Sequence, residues 1–262
     1  MEHLYPGGRH KALTLSYDDG QVYDRRLVEI LNRAGIKATF HLNSGNLDRE
    51  EFVTRAELPT LYKGHEIACH GVTHRHPLQM TRDEWAAEIW QDRLALEEAG
   101  GCIVQGMSYA FGEYDTSIVE SLRAFGIRYS RTVESTGRFT LPQDFLRWKP
   151  TCHHNDRLME RTEAFLNTPG YEKMPLFYLW GHSFEFEREN TWDRIEAFAG
   201  RIGGNPDIWY ATNGEVCEYL TAMRNLRCSA DGKRLYNPSA RTVWFRCGTE
   251  TGSIAPGEYC EF

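Results

Sequence analysis

Residues 11–35 read KALTLSYDDGQVYDRRLVEILNRAG. Lys11–Tyr17 has the apolar, β-rich character of a strand, and Asp18-Asp19-Gly20 is a polar turn behind it. Asp24–Ala34 then carries a helical spacing that Gly35 stops. The same rhythm recurs down the chain. Strand-like runs at Ala38–Asn43, Glu66–Cys69, Met107–Phe111, Arg128–Val133, Leu176–Trp180 and Asp207–Ala211 alternate with helical patterns. These patterns reach to about Tyr62, then cover Thr81–Ala99, Ser117–Phe125, Asp156–Leu166, Trp192–Ile202 and Thr212 to about Asn225. Thr81 with Glu84 and Thr212 with Glu215 have the spacing of capping boxes. Trp85, Ile89, Leu94 and Leu96 form a stripe expected to face the core.

Seven strand–helix alternations predict an α/β fold with parallel strands. The rhythm changes near Leu226, where short β-like runs surround the turn Asp231-Gly232. The reading is therefore a catalytic barrel over 1–225 and a small β appendage over 226–262 packed on its outside.

Composition narrows the function. The 262 residues are 41% hydrophobic and 26% charged, with a net charge of −7. The basic residues, mostly Arg, are scattered, so no nucleic-acid partner is expected, because phosphate neutralisation needs clustered cations. No apolar run is long enough to span a bilayer, so no membrane partner is expected either. The seven cysteines are odd in number and widely spaced, with no C-x-x-C. Reduced, mostly buried thiols and a cytoplasmic setting are the expectation, or an extracellular one if a leader has been removed.

In parallel barrels, chemistry gathers where strands end. The first strand ends in Asp18-Asp19, the third in His70 with His74 four residues on, and the late apolar strand in Gly181-His182. Each alone has an ordinary reading: a polar turn, a histidine pair, a structural histidine. His65 and His70 are five apart on a strand-like segment, which excludes the two-histidine zinc helix. Together the residues make a kit for metal-assisted hydrolysis. Two imidazoles and a carboxylate can hold a divalent ion with positions to spare. A free carboxylate can accept a proton, and a further imidazole can deliver one.

The order Leu15-Ser16-Tyr17-Asp18-Asp19-Gly20, His70-Gly71-Val72-Thr73-His74, Tyr109-Ala110-Phe111-Gly112 and Leu179-Trp180-Gly181-His182 resembles the polysaccharide deacetylases of carbohydrate esterase family four, over residues 10–225. The resemblance implies a distorted (β/α)7-type barrel. It implies Asp18 as catalytic base, His182 as catalytic acid, and Asp19, His70 and His74 as ligands of one divalent metal, Zn²⁺ first, with Co²⁺, Ni²⁺ or Mn²⁺ as alternatives. The chain departs from the family pattern at Tyr17, at Gly71, and at Ser108 and Ala110, which stand where the family has Arg and Pro. That Arg orients the base, and Arg131 on the next strand is a substitute if it reaches inward rather than forming a surface salt bridge. Trp148 stands where the family places a wall of the acetyl pocket. Trp180, Phe184 and Phe186 flank His182, and a backbone N–H near Tyr109 is expected to face the oxyanion. His153-His154 reads as an exposed loop pair.

The leading expectation is a metal-dependent hydrolase that removes N-acetyl groups from N-acetylated sugars, its partner being the carbohydrate substrate. An enzyme on the same fold acting on a small amide or cyclic imide is the second reading. A carbohydrate-binding protein with an inactive site is the third.

Overall fold

The computed structural model, which describes residues 1–261, begins with a short strand β1 (Glu2–Leu4) and then β2 (Lys11–Asp19). Along β2 the side chains alternate as a strand requires. Leu13, Leu15 and Tyr17 join the main apolar core, while Thr14, Ser16 and Asp18 are buried on the other side. Around β2 lie β3 (Thr39–Leu42), β4 (Glu66–Cys69), β5 (Gly106–Ser108), β6 (Tyr129–Arg131), β7 (Cys152–His153), β8 (Leu176–His182) and β9 (Ile208–Tyr210). All pairings are parallel, in the order β6-β5-β4-β3-β2-β8-β7, with β9 beside Lys11–Leu13 of β2. The curled sheet bends back on itself. Trp148 bridges to Arg131 of β6, and the chain then continues into β7 beside β8. The expected α/β, distorted (β/α)7-type architecture is present.

The outer layer is helical: α1 (Asp24–Arg33), α2 (Leu58–Leu61), α3 (Arg82–Gly100), α4 (Thr116–Ala124), α5 (Leu158–Leu166), α6 (Ser183–Arg188), α7 (Trp192–Ile202) and α8 (Asn213–Arg224). The capping boxes predicted at Thr81/Glu84 and Thr212/Glu215 open α3 and α8. The predicted stripe on α3 is only partly inward. Trp85, Ile89 and Leu96 are buried, but Leu94 is exposed, because it sits off the face the other three share. The helix expected to run to Tyr62 is reduced to turns and the single turn α2.

The barrel interior is polar and layered. At its floor Glu66 accepts from Thr39 Oγ1 (2.8 Å), Tyr129 Oη (2.9 Å) and the Gly214 N–H at the start of α8 (2.8 Å). Asn213 donates to Thr14 Oγ1 (2.8 Å) and accepts from Tyr178 Oη (2.8 Å). The N-terminus of α8 thus closes the bottom, where its free amides meet a buried carboxylate.

Residues beyond Leu226 form short antiparallel strands: β10 (Arg227–Cys228), β11 (Arg234–Tyr236), β12 (Val243–Cys247), β13 (Glu250–Ile254) and β14 (Tyr259–Glu261). Phe262, the last residue of the expected appendage, lies outside the described residues. One pairing was not expected: β12 takes β1 as its other neighbour, with Glu2 opposite Arg246. All seven cysteines are free, but only Cys69, Cys152 and Cys217 are buried, fewer than expected, because several of the others fall in the thin appendage. No helix among the described residues is long and apolar enough to cross a membrane.

Candidate active site

The residues singled out at the strand ends share one mouth. In register, Asp18 stands level with His41 of β3 and His182 of β8. Asp19 follows it, His70 leaves β4, and His74 comes back on the loop behind. Asp19 Oδ1 lies 3.6 Å from His70 Nε2 and 3.8 Å from His74 Nε2. Ligand-type atoms of these three residues all lie within 4.8 Å of one another.

This convergence is built into the loops. Asp19 and His74 have φ of 80° and 53°, values that non-glycine residues adopt at a cost of about 1–3 kcal/mol each. Asp92 on α3 accepts from the backbone N–H groups of Ser44 (2.8 Å), His70 (3.1 Å) and Gly71 (3.0 Å). Asn43 donates to the carbonyls of His70 and Gly71, both at 2.8 Å. Gly71 has φ of 83°, and a Cβ there would come 3.1 Å from Glu88 Oε1. Sequence reasoning missed Asn43 and Asp92, whose role depends on contacts remote in sequence.

Asp18 and Asp19 differ in surroundings. Asp18 is 2% exposed, with Oδ2 paired to Arg131 and Oδ1 at 3.3 Å from both His41 Nδ1 and Ser108 Oγ. Burial works to raise its carboxyl, but the Arg131 guanidinium, with His70 and His41, outweighs that and holds it well below the usual carboxylate range. Asp19 is pushed up by burial, with repulsion from Asp18 adding and attraction to His182 opposing. Arg131 is therefore no surface ion pair. It is fully buried and reaches Asp18 from β6.

The donor set fits a divalent ion. His70 Nδ1 lies 3.0 Å from the Ser108 carbonyl, which can only accept, so the proton sits on Nδ1 and Nε2 keeps its lone pair toward Asp19. Burial lowers the His70 imidazole to about 3, which keeps it neutral as a ligand must be.

His182 stands on the opposite flank, backed by Glu185 from α6. Its Nδ1 is 3.4 Å from Glu185 Oε2, and its backbone N–H donates to the same oxygen (3.2 Å). Burial alone would lower this imidazole. Glu185, Asp18 and Asp19 outweigh burial and hold it above its ordinary value. Glu185 was missed in the sequence, because the helix α6 that presents it was not read there.

The remaining expectations divide. Trp180 belongs to the site: the Arg131 guanidinium carbon sits 4.2 Å from its ring centroid, and His182 meets it edge-on at 5.8 Å. Trp148 does not wall an open pocket. It is 1% exposed, packed between Tyr129, Phe145 and Tyr178. Tyr109 is not a free donor either. Its N–H donates to the Arg131 carbonyl (3.1 Å) and its hydroxyl to Leu146 O (2.7 Å), because both groups serve the sheet and the loop beside it. His153 and His154 are not an exposed loop pair. His153 is on β7 and His154 follows it, fully buried, both facing Glu185 because the segment pairs with β8. An unforeseen feature is Phe111, half-exposed with φ of 57°, stacked flat on His76 at 3.7 Å and edge-on to His74 at 4.5 Å.

Known proteins resemble this chain in sequence and in fold. Residues 6–130 match the family model described as polysaccharide deacetylase. No curated protein matches the chain. Among solved structures, a Mycobacterium smegmatis chain assigned to the polysaccharide deacetylases superposes with a TM-score of 0.63 at 18% identity, over 86% of this chain and 95% of that one. A family 4 acetyl xylan esterase from Clostridium thermocellum, solved with a cobalt ion, gives 0.54 at 15% identity, over 78% and 89%. For a polysaccharide deacetylase from Bacillus cereus the values are 0.46 and 21%, over 51% of this chain and 44% of that chain. The resemblance read from the motifs is borne out, and the structural likeness shows the same fold.

Proposed function

We propose that this chain, whose residues 6–130 match the polysaccharide deacetylases, is a metal-dependent hydrolase that removes N-acetyl groups from an N-acetylglucosamine-containing poly- or oligosaccharide. The observation that carries the proposal is the pairing of opposites around one mouth. Asp18, Asp19, His70, His74 and His182 converge there, with Arg131 behind the first and Glu185 behind the last.

Asp19, His70 and His74 would hold the ion, Zn²⁺ in the first instance, with Co²⁺, Ni²⁺ or Mn²⁺ as alternatives. When bound, such an ion polarises a carbonyl oxygen and makes water more acidic. The chain's own residues do the rest. Asp18 stays ionised beside Arg131 and takes a proton from the attacking water. His41 and Ser108, at its other oxygen, fix the direction in which the carboxylate faces. His182, held protonated by the carboxylates around it, gives a proton to the departing sugar nitrogen, which leaves poorly as an anion. Trp180 and the exposed ring of Phe111 border the mouth as apolar faces suited to a sugar ring. An N-acetyl group is favoured over a cyclic imide by the match of residues 6–130 to the polysaccharide deacetylase model and by the exposed ring of Phe111 beside His74.

The test is acetate release from N-acetylated glucosamine oligomers by metal-loaded protein. Asp18→Asn is expected to cut kcat by about 10²–10⁴-fold with metal content retained. His70→Ala is expected to lose the ion held by Asp19, His70 and His74, and the activity with it. Full turnover in Asp18→Asn would remove the assignment of the base, and hydrolysis of a cyclic imide without acetate release would move the enzyme to the second reading.

A further inference from the structure

Behind His182 lies a second gathering of metal-type donors. His154 Nε2 and His153 Nε2 stand 3.0 and 3.1 Å from Glu185 Oε2. Ligand-type atoms of these three residues lie within 4.8 Å of one another, as in the Asp19–His70–His74 group. Donors bound at about 2.0–2.2 Å in a tetrahedral zinc site stand roughly 3.3–3.6 Å apart, so both groups have nearly the spacing an ion would impose.

His154 is the telling residue. It is fully buried, yet neither ring nitrogen has a hydrogen-bond partner, since the close approach to Glu185 lacks the alignment of a hydrogen bond. Buried polar atoms without partners are rare and costly, and each needs a reason. The ring is also held in place. It stacks on Phe186 at 4.2 Å and on Tyr17 at 5.9 Å. Gly181 makes the space: a Cβ there would come 2.1 Å from His154 Nδ1. The ring is thus packed between two aromatic neighbours, with its Nε2 3.0 Å from Glu185 Oε2.

We propose that His153, His154 and Glu185 form a second binding site for a divalent cation of the Zn²⁺ type, distinct from the Asp19–His70–His74 site. Both imidazoles would ligate through Nε2 and the carboxylate through an oxygen, leaving an open coordination position. Burial lowers His154 to about 4, so it is neutral and its lone pair is available near pH 7. Glu185 Oε2 faces three imidazoles, those of His153, His154 and His182, at 3.1, 3.0 and 3.4 Å. His153 Nδ1 accepts from the Asn155 N–H at 3.2 Å, which places that ring's proton on Nε2 in the metal-free chain. Binding shifts this proton to Nδ1. One long hydrogen bond is exchanged for a coordination bond.

Equilibrium dialysis of the full chain against Zn²⁺, followed by metal analysis, tests the site without reference to activity. Wild type is expected to hold two ions per chain, His70→Ala one, His153→Ala one, and the double variant none. His154→Ala opens a buried hole and risks the fold, so His153→Ala and Glu185→Gln, both at partly exposed positions, carry the test, with circular dichroism confirming the fold. A single ion in wild type that His70→Ala removes would overturn the second site, as would two ions retained in both His153→Ala and Glu185→Gln. A single ion that survives His70→Ala and is lost in His153→Ala would uphold the second site and instead remove the metal role of Asp19, His70 and His74 from the proposed function.

Discussion

On β2, the outward side chains Leu13, Leu15 and Tyr17 enter an apolar layer under the helices, while the inward Thr14, Ser16 and Asp18 enter a column of hydrogen bonds. The same division continues around the sheet. Phe40 and Ile67 face outward, and His41, Glu66 and Arg131 face inward. The outer wall is held by contacts that tolerate a neighbouring shape. The inner wall is held by directional bonds, each needing a named partner. A change in the outer wall should therefore cost stability and spare the chemistry, whereas a change in the inner wall should alter both.

The largest expected effect tests the inner wall. Arg131→Leu leaves Asp18 buried without its cation and should destabilise by about 3–5 kcal/mol in thermal or denaturant unfolding. It should also change the sign of one pH dependence. In wild type the Asp18 carboxyl lies below its unfolded value, so its contribution is present above about pH 4 and is lost as pH falls toward the depressed folded value. Without Arg131, burial dominates and raises the group, so stability should instead fall as pH rises past about 4. A variant whose unfolding shows the wild-type pH slope would break the contrast between the walls.

Next is the outer wall. Leu15→Ala, at a fully buried position, should cost about 2–5 kcal/mol through lost burial and the cavity left behind. The pH profile of acetate release should be unchanged. A shifted profile would show that the walls are coupled through β2.

A smaller effect is expected at the rim of the inner wall. Glu185 helps hold His182 above its ordinary value, so Glu185→Gln should move the alkaline limb of kcat/KM to lower pH. The sign follows from removing a negative charge that favours the imidazolium. The measurement belongs at one metal equivalent per chain, and an unmoved limb would detach Glu185 from His182. The smallest effect lies outside both walls. Arg246 pairs with Glu2 at 2.7 Å in a partly exposed setting, so Arg246→Ala should cost under about 1 kcal/mol.

Reading the sequence recovered the strands, the parallel order they imply, and the residues at their ends. Those features repeat locally: apolar runs, a capping spacing, acids and imidazoles just beyond a strand. What escaped it was cross-chain. Arg131 meets Asp18 across 113 positions, and the sequence left open whether it reaches inward or forms a surface salt bridge. His153 and His154 look like loop residues because β7 is only two residues long, and they are buried only because that strand pairs with β8. Tyr109 and Trp148 misled for the converse reason. They have the right residue types near the right motif, but their polar atoms or faces are already used by the sheet and the interior.

The pairing of β1 with β12 has a consequence in time. Glu2 and Arg246, opposite one another in that sheet, are 244 positions apart. A ribosome adds about 5–20 residues per second, so the first strand waits on the order of tens of seconds before its partner exists. Throughout that interval its edge is unpaired, as an edge open to any other strand would be. During synthesis, the edge of β1 therefore stays open until β12, 244 positions later, has been made.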